Sequence, residues 1–160
     1  MDAFMEDSDL EMVLAYRQQP EDPAVAARNR RILLEALDAI AAGNVEDFWS
    51  IFDPEVVFHE ASCLPHYGGE HRGLAATQQA FERMSSVFSK TRSVFETVLA
   101  GGDLAILYQT ITFEVAANGN AGTLPVAELF RFRDGKVVEW RALYFDSAMV
   151  AKAISGDRPL

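Results

Sequence analysis

Cysteine is nearly missing. Cys63 stands alone among 160 residues, which excludes an internal disulfide. No run of 18 or more apolar residues occurs, so no spanning helix and no membrane partner are expected. Basic residues are scarce, 14 Lys and Arg against 24 Asp and Glu, a formal net charge of −10. Such a field repels phosphate backbones, and nucleic-acid binding is not expected. The segment Met1-Asp2-Ala3-Phe4-Met5-Glu6-Asp7 is acidic where a secretory signal is basic and then apolar. A cytoplasmic location is the expectation. The chain also lacks a phosphate loop, a dinucleotide fingerprint and a nucleophile elbow.

Apolar residues make up 49% of the chain, 11 of them Phe, which is globular composition with enough length for one sizeable core. Residues 1–22 read as an acidic extension: a tail to Asp7, then a short helix from Asp9 to Gln19 that Pro20 ends. A single domain is expected over 23–155. Asp22-Pro23 is a cap followed by proline in a first helical turn, and Val25, Ile32, Leu33, Ala36, Leu37 and Ile40 form one stripe up to Gly43. Asn44 caps a second helix, Val45 to Phe52. A third runs from Leu74 to Ser89, after a loop-like stretch from Ala61 to Gly73.

Strand signals begin at Val56. They resume as a meander over Ser93–Ala100, Leu104–Val115, Thr123–Arg133 and Lys136–Phe145, punctuated by Gly101-Gly102-Asp103, Asn118-Gly119-Asn120 and Asp134-Gly135. Asp146 or Ser147 caps a closing helix to Ile154. The order predicts an α+β fold with helices on one face of a curved sheet.

Two acids break the apolar pattern. Strand side chains alternate faces, so Glu60 shares a face with Val56 and Phe58. Glu128 shares one with Val126, Phe130 and Phe132. A carboxylate on an apolar face is costly unless neutralised, paired or used. Together the two point to an oily pocket with acid/base groups inside it.

The ordered pieces Ala41-Ala42-Gly43-Asn44, Phe52-Asp53-Pro54-Glu55-Val56, the glycine-bearing loop Leu64 to Gly73, and the hairpin Phe130 to Arg141 carry a resemblance. Over about 24–154 the chain resembles the nuclear transport factor 2-like superfamily, in its SnoaL-like polyketide cyclase and ketosteroid isomerase-like branch. The resemblance implies a cone-shaped, cystatin-like α+β barrel: a strongly curved antiparallel sheet wrapped around the N-terminal helices, with a pocket at the wide end. It also implies a homodimer and no metal or organic cofactor.

Carried over residue by residue, the resemblance makes Glu60 the general base, eight positions after Phe52. Glu128 becomes the protonated acid that donates to an oxyanion. The oxyanion tyrosine of ketosteroid isomerases falls at Ala36, and the essential Asp of limonene epoxide hydrolases falls at Ala142. The Arg-x-Asp pair of those hydrolases falls at Gln109 and Ile111. Steroid isomerisation and epoxide hydrolysis by those constellations are therefore disfavoured.

Each residue carries a plainer reading beside the chemical one. Glu60 is either a base or a strand-end partner of Arg72 or Arg92; Glu128 is either a neutral donor or an ionised partner of an Arg or His. Phe58, Phe113, Phe130, Phe132, Trp140 and Tyr144 are core, pocket lining or both. His66 and Tyr67 sit on a loop that forms a pocket mouth or simply faces water, and Tyr67 is a substitute for the donor missing at Ala36. His59 points away from Glu60 unless the strand bulges. His59, His66 and His71 match no zinc spacing. Cys63 reads as a small buried hydrophobe.

The expected function is proton transfer on a small apolar carbonyl compound: isomerisation, cyclisation or dehydration. Glu60 and Glu128 are its candidate catalytic residues. Phe58, Tyr67, His66, Phe130, Trp140 and Tyr144 are its candidate binding residues. The alternative is a noncatalytic ligand-binding or dimeric interaction module of the same fold.

Overall fold

Asp22 opens the first helix by accepting a hydrogen bond from Ala24 N at 2.9 Å, with Pro23 in the first turn. A computed structural model describes residues 22–157; the acidic extension up to residue 21, with its predicted short helix, lies outside the described residues. Helix α1 (Pro23–Ala41) buries Asn29, Leu33, Ala36 and Leu37, the helical spacing read from the sequence plus one polar residue that spacing did not single out. Asn29 is there because its amide reaches the carbonyl of Gly102, at 3.2 Å.

Helix α2 (Val45–Ser50) is two residues shorter than predicted, because Phe52 already belongs to strand β1 (Phe52–Glu60). The predicted loop contains a short strand, β2 (Gly69–Arg72), paired antiparallel with β1. Helix α3 (Leu74–Val87) runs straight into β3 (Phe88–Gly101), which starts five residues before the predicted strand. Strands β4 (Leu104–Val115), β5 (Ala121–Arg133) and β6 (Lys136–Tyr144) complete the meander. Helix α4 (Ser147–Ser155) closes the fold, with Asp146 as its cap.

The strands form one curved sheet in the order β2-β1-β6-β5-β4-β3 that does not close on itself. The sheet is antiparallel except between β1 and β6, which run parallel. That exception follows from the chain path, since β1 and β6 are joined by a long route through α3 and the meander. Helix α1 packs against β3 and β4, and α3 against β1, so both lie on the concave side.

The apolar interior has two parts. One gathers Leu33, Leu37, Phe48, Phe52, Phe130 and Trp140; the other gathers Leu64, Tyr67, Phe113, Leu124, Val126 and Val150. Tyr144 packs against both, and the candidate site lies where the two meet.

Candidate active site

Alternation on three strands brings the acids together. Glu128 stands opposite Ala142, and His59 opposite Arg141, which sets Glu60 beside Ala142 from the other side. Ala142 thus separates the two acids in a row across β1, β6 and β5, their backbones roughly 10 Å apart by ladder spacing. A large side chain at 142 would stand between the two carboxyls; alanine leaves that space open. The acids face a cavity of about 240 Å³ whose wall is mostly apolar and aromatic. Phe58, Tyr67, Phe130, Trp140 and Tyr144 line it as well. Among the described residues, the lining includes no Lys, Arg or His.

Each carboxyl has its own partners. Glu128 is gripped from both neighbouring strands: Gln109 Nε2 on β4 donates to Oε1 at 2.6 Å, and Trp140 Nε1 on β6 donates to Oε2 at 2.8 Å. These are diagonal neighbours across the ladder, within reach of long side chains. Glu60, only 7% exposed, accepts from the Tyr144 hydroxyl at 2.9 Å through Oε2, while Oε1 is buried with no hydrogen-bond partner. The Tyr67 hydroxyl is also buried without a partner.

Loss of hydration governs the electrostatics. Burial pushes Glu60 up to about 8, against the Tyr144 hydrogen bond and with help from the Glu128 charge. Burial raises Glu128 to about 7, and the bonds from Trp140 and Gln109 restrain that rise. Burial, and after it the Glu60 charge, hold the Tyr67 and Tyr144 phenols above their ordinary range. The pocket therefore holds two acids that exchange protons near neutrality, where acid/base groups act best.

Residues 33–140 match the model of the SnoaL-like domain. The chain belongs to the SnoaL-like family. Comparison with curated proteins finds no match. Among solved structures, a nuclear transport factor 2-like protein of unknown function from Burkholderia pseudomallei superposes with a TM-score of 0.69 at 16% identity, covering 77% of this chain and 95% of that one. TerC co-crystallized with polyporic acid gives 0.69 at 19% identity, over 80% and 98% of the two chains. A putative SnoaL-like polyketide cyclase from Jannaschia gives 0.67 at 22% identity, over 86% and 97%. At these identities the likeness establishes the fold.

Within this SnoaL-like domain the other sequence candidates separate. His66 is exposed, at a φ of 74°, and does not line the cavity; its carbonyl accepts from Arg83 Nε at 3.1 Å. Its neighbour Tyr67 turns inward instead and is 1% exposed. Cys63 is exposed rather than buried, because Leu64 takes the interior position in that loop. Neither arginine proposed for Glu60 reaches it: Arg72 pairs with Glu70 at 2.7 Å, and Tyr144 is the hydrogen-bond partner of Glu60.

The three histidines do not converge. His59 lies on the outer face near Glu139 (3.3 Å) and Glu70 (3.6 Å). His71 contacts the Tyr67 carbonyl at 2.8 Å and stacks on Phe58. Arg131, Arg141 and Glu139 also share the outer face, as an ion-pair network. Gln109 is the residue that sequence reasoning missed. Its signal was present: a lone amide on the inward face of Ala105, Leu107, Ile111 and Phe113.

Proposed function

We propose that this SnoaL-like domain is a cofactor-independent enzyme that moves a proton next to the carbonyl of a small apolar molecule, giving an isomerised, cyclised or dehydrated product. The observation that carries the reading is the pair Glu60 and Glu128, both desolvated and both facing one aromatic-walled cavity. Proton abstraction beside a carbonyl needs one group to accept the proton and another to stabilise the developing oxyanion. Two carboxyls raised by burial and held by different donors meet that need. The apolar wall and the absence of lining cations among the described residues favour an uncharged, largely apolar ligand. The fold relatives that include a putative polyketide cyclase and TerC with polyporic acid are consistent with such a ligand.

A noncatalytic binder of this fold would neutralise both acids with arginines or fill the space between them. The side chains here do neither, which favours catalysis. The proposal includes a cytoplasmic homodimer, for which the sheet's outer surface offers exposed Leu99, Tyr108 and Leu143, with Phe145 just beyond β6.

Hydrogen–deuterium exchange tests the reading with simple ketones in place of the native substrate. A panel of apolar cyclic ketones and 1,3-diketones in D₂O is followed by NMR. Accelerated exchange of α-protons in at least one compound, lost in Glu60→Gln/Glu128→Gln, is the expected result. Background rates throughout the panel, together with no binding, would sink it.

A further inference from the structure

We infer, resting on the proposed proton transfer, that Glu128 is the proton acceptor, Glu60 the proton donor, and Gln109 a positioning residue for the Glu128 carboxylate. This reverses the roles that the family resemblance implied. The argument is one of donors. An indole N–H can donate but never accept, so Trp140 at 2.8 Å obliges Oε2 of Glu128 to be an acceptor. Gln109 Nε2 places a second N–H on Oε1 at 2.6 Å, an orientation that leaves the Gln109 oxygen buried without a partner. Two N–H donors on two oxygens solvate a carboxylate and disfavour its protonated form. Both donors lie in the pleat beside Glu128, so the remaining lone pairs are left for a ligand in the cavity.

Glu60 has the opposite surroundings. Its one hydrogen-bond partner is the phenol of Tyr144, and a hydroxyl accepts as readily as it donates. Its other oxygen is buried and unbonded. An ionised Glu60 would leave that charged oxygen bare in a dry wall, whereas a neutral acid costs far less there.

The neighbouring groups do not offset this difference. Glu60 meets Tyr144 from β6, Tyr67 from the loop with Cys63 beside it, and the Glu128 charge from β5. His59 and Arg141 border a second recess that Glu60, Ala142 and Tyr144 also line, and both basic groups are engaged there with Glu139 rather than with Glu60. Glu128 meets Gln109 from β4 and Trp140 from β6. The helices bring no charged side chain to the lining among the described residues. Burial raises both carboxyls, and side-chain donors act against that rise twice at Glu128, from Trp140 and Gln109, and once at Glu60, from Tyr144.

In the resulting step, Glu128 takes the hydrogen from the carbon beside the carbonyl. The C–H pair becomes the enol double bond, and the carbonyl π pair moves to oxygen, which takes the Glu60 proton. Glu128 is then neutral and Glu60 ionised. Return of the Glu128 proton to carbon, at the original or a conjugated position, and of the enol proton to Glu60 restores both groups.

Two measurements test the assignment. The first is an NMR titration of the full chain labelled with ¹³C at the Glu carboxyl carbon, with Glu60→Gln and Glu128→Gln assigning the two resonances. Glu128 is expected to ionise at lower pH than Glu60, and Gln109→Leu is expected to raise the Glu128 midpoint by about one unit. Circular dichroism verifies that the Gln109→Leu chain is folded. If Glu60 ionises first, the reversal is wrong; if Gln109→Leu leaves the midpoint in place, Gln109 does not position Glu128.

The second is the α-proton exchange assay. Glu128→Gln is expected to lose about 100-fold or more. Glu60→Gln, whose amide still donates, is expected to lose less, and the opposite ranking overturns the assignment. Background exchange by the unmodified chain would sink the proposed function, while the titration order would still decide which acid is ionised.

Discussion

Trp140 and Glu128 lie on adjacent strands, and the indole nitrogen of the first stands 2.8 Å from Oε2 of the second. The same indole stacks on Phe130 and packs 4.3 Å, centroid to centroid, from Phe58. One side chain therefore builds the aromatic wall and opposes the rise that burial imposes on the acid inside it.

Trp140→Phe separates those two tasks. The ring packing is largely kept and the N–H is lost. The Glu128 titration midpoint is expected to move up, and unfolding stability at pH 8 to fall by about 1–3 kcal/mol. The loss is expected to shrink at pH 5, where Glu128 is neutral and needs the donor less. Denaturant titration at both pH values measures it, and an equal loss at each would argue against ionisation of Glu128.

Glu60 makes stability depend on pH with a definite sign. Its folded-state value of about 8 lies above the ordinary 4.5, so the native state holds this proton more tightly than the unfolded chain does. The contribution is complete below pH 4.5 and drains away as pH rises toward 8. The slope is at most about 1.4 kcal/mol per pH unit for one group. Glu128 adds a like trend between 4.5 and about 7. Glu60→Gln removes one titration, so its stability curve is expected to be flatter from pH 5 to 8. Parallel curves for the two proteins would show that Glu60 ionises normally.

Gly68 holds the loop that delivers Tyr67. A Cβ there would stand 2.5 Å from the Ala61 carbonyl oxygen and 2.6 Å from that of Leu64, both backbone atoms. Gly68→Ala is expected to cost about 1–3 kcal/mol through overpacking. It should also disturb ligand binding in the exchange assay through Tyr67. Unchanged melting would mean that the loop yields without strain.

The outer sheet surface is expected to pair with a second copy. Leu143 is 52% exposed and lies in register with Ala127, which itself faces Tyr108 on the next strand. Sedimentation of the unmodified chain at micromolar concentration should give a dimer, and Leu143→Arg should shift it to monomer. A monomeric unmodified chain would remove the dimer from the proposal.

Strand faces were legible because their period is two and their apolar residues are large. Val56, Phe58 and Glu60 point inward as the alternation predicts, and so do Val126 and Phe130. Helix caps at Asp22, Asn44 and Asp146 were legible for a similarly local reason: a short acceptor side chain stands before a helical pattern. Loop side chains follow no period, which is why sequence alone does not separate the exposed His66 and Cys63 from the buried Tyr67. The parallel β1–β6 pairing escapes a sequence reading because it joins segments far apart in the chain.

The linear order of residues settled what is local: where helices begin, which strand residues share a face, and that two acids sit on apolar faces. Folding in three dimensions decided what those acids meet. Glu128 received an indole N–H and an amide from flanking strands, and Glu60 received a phenol from a residue 84 positions away. A carboxyl's protonation follows from its donors and its loss of water. Both come from cross-strand neighbours whose pairing only the assembled sheet creates.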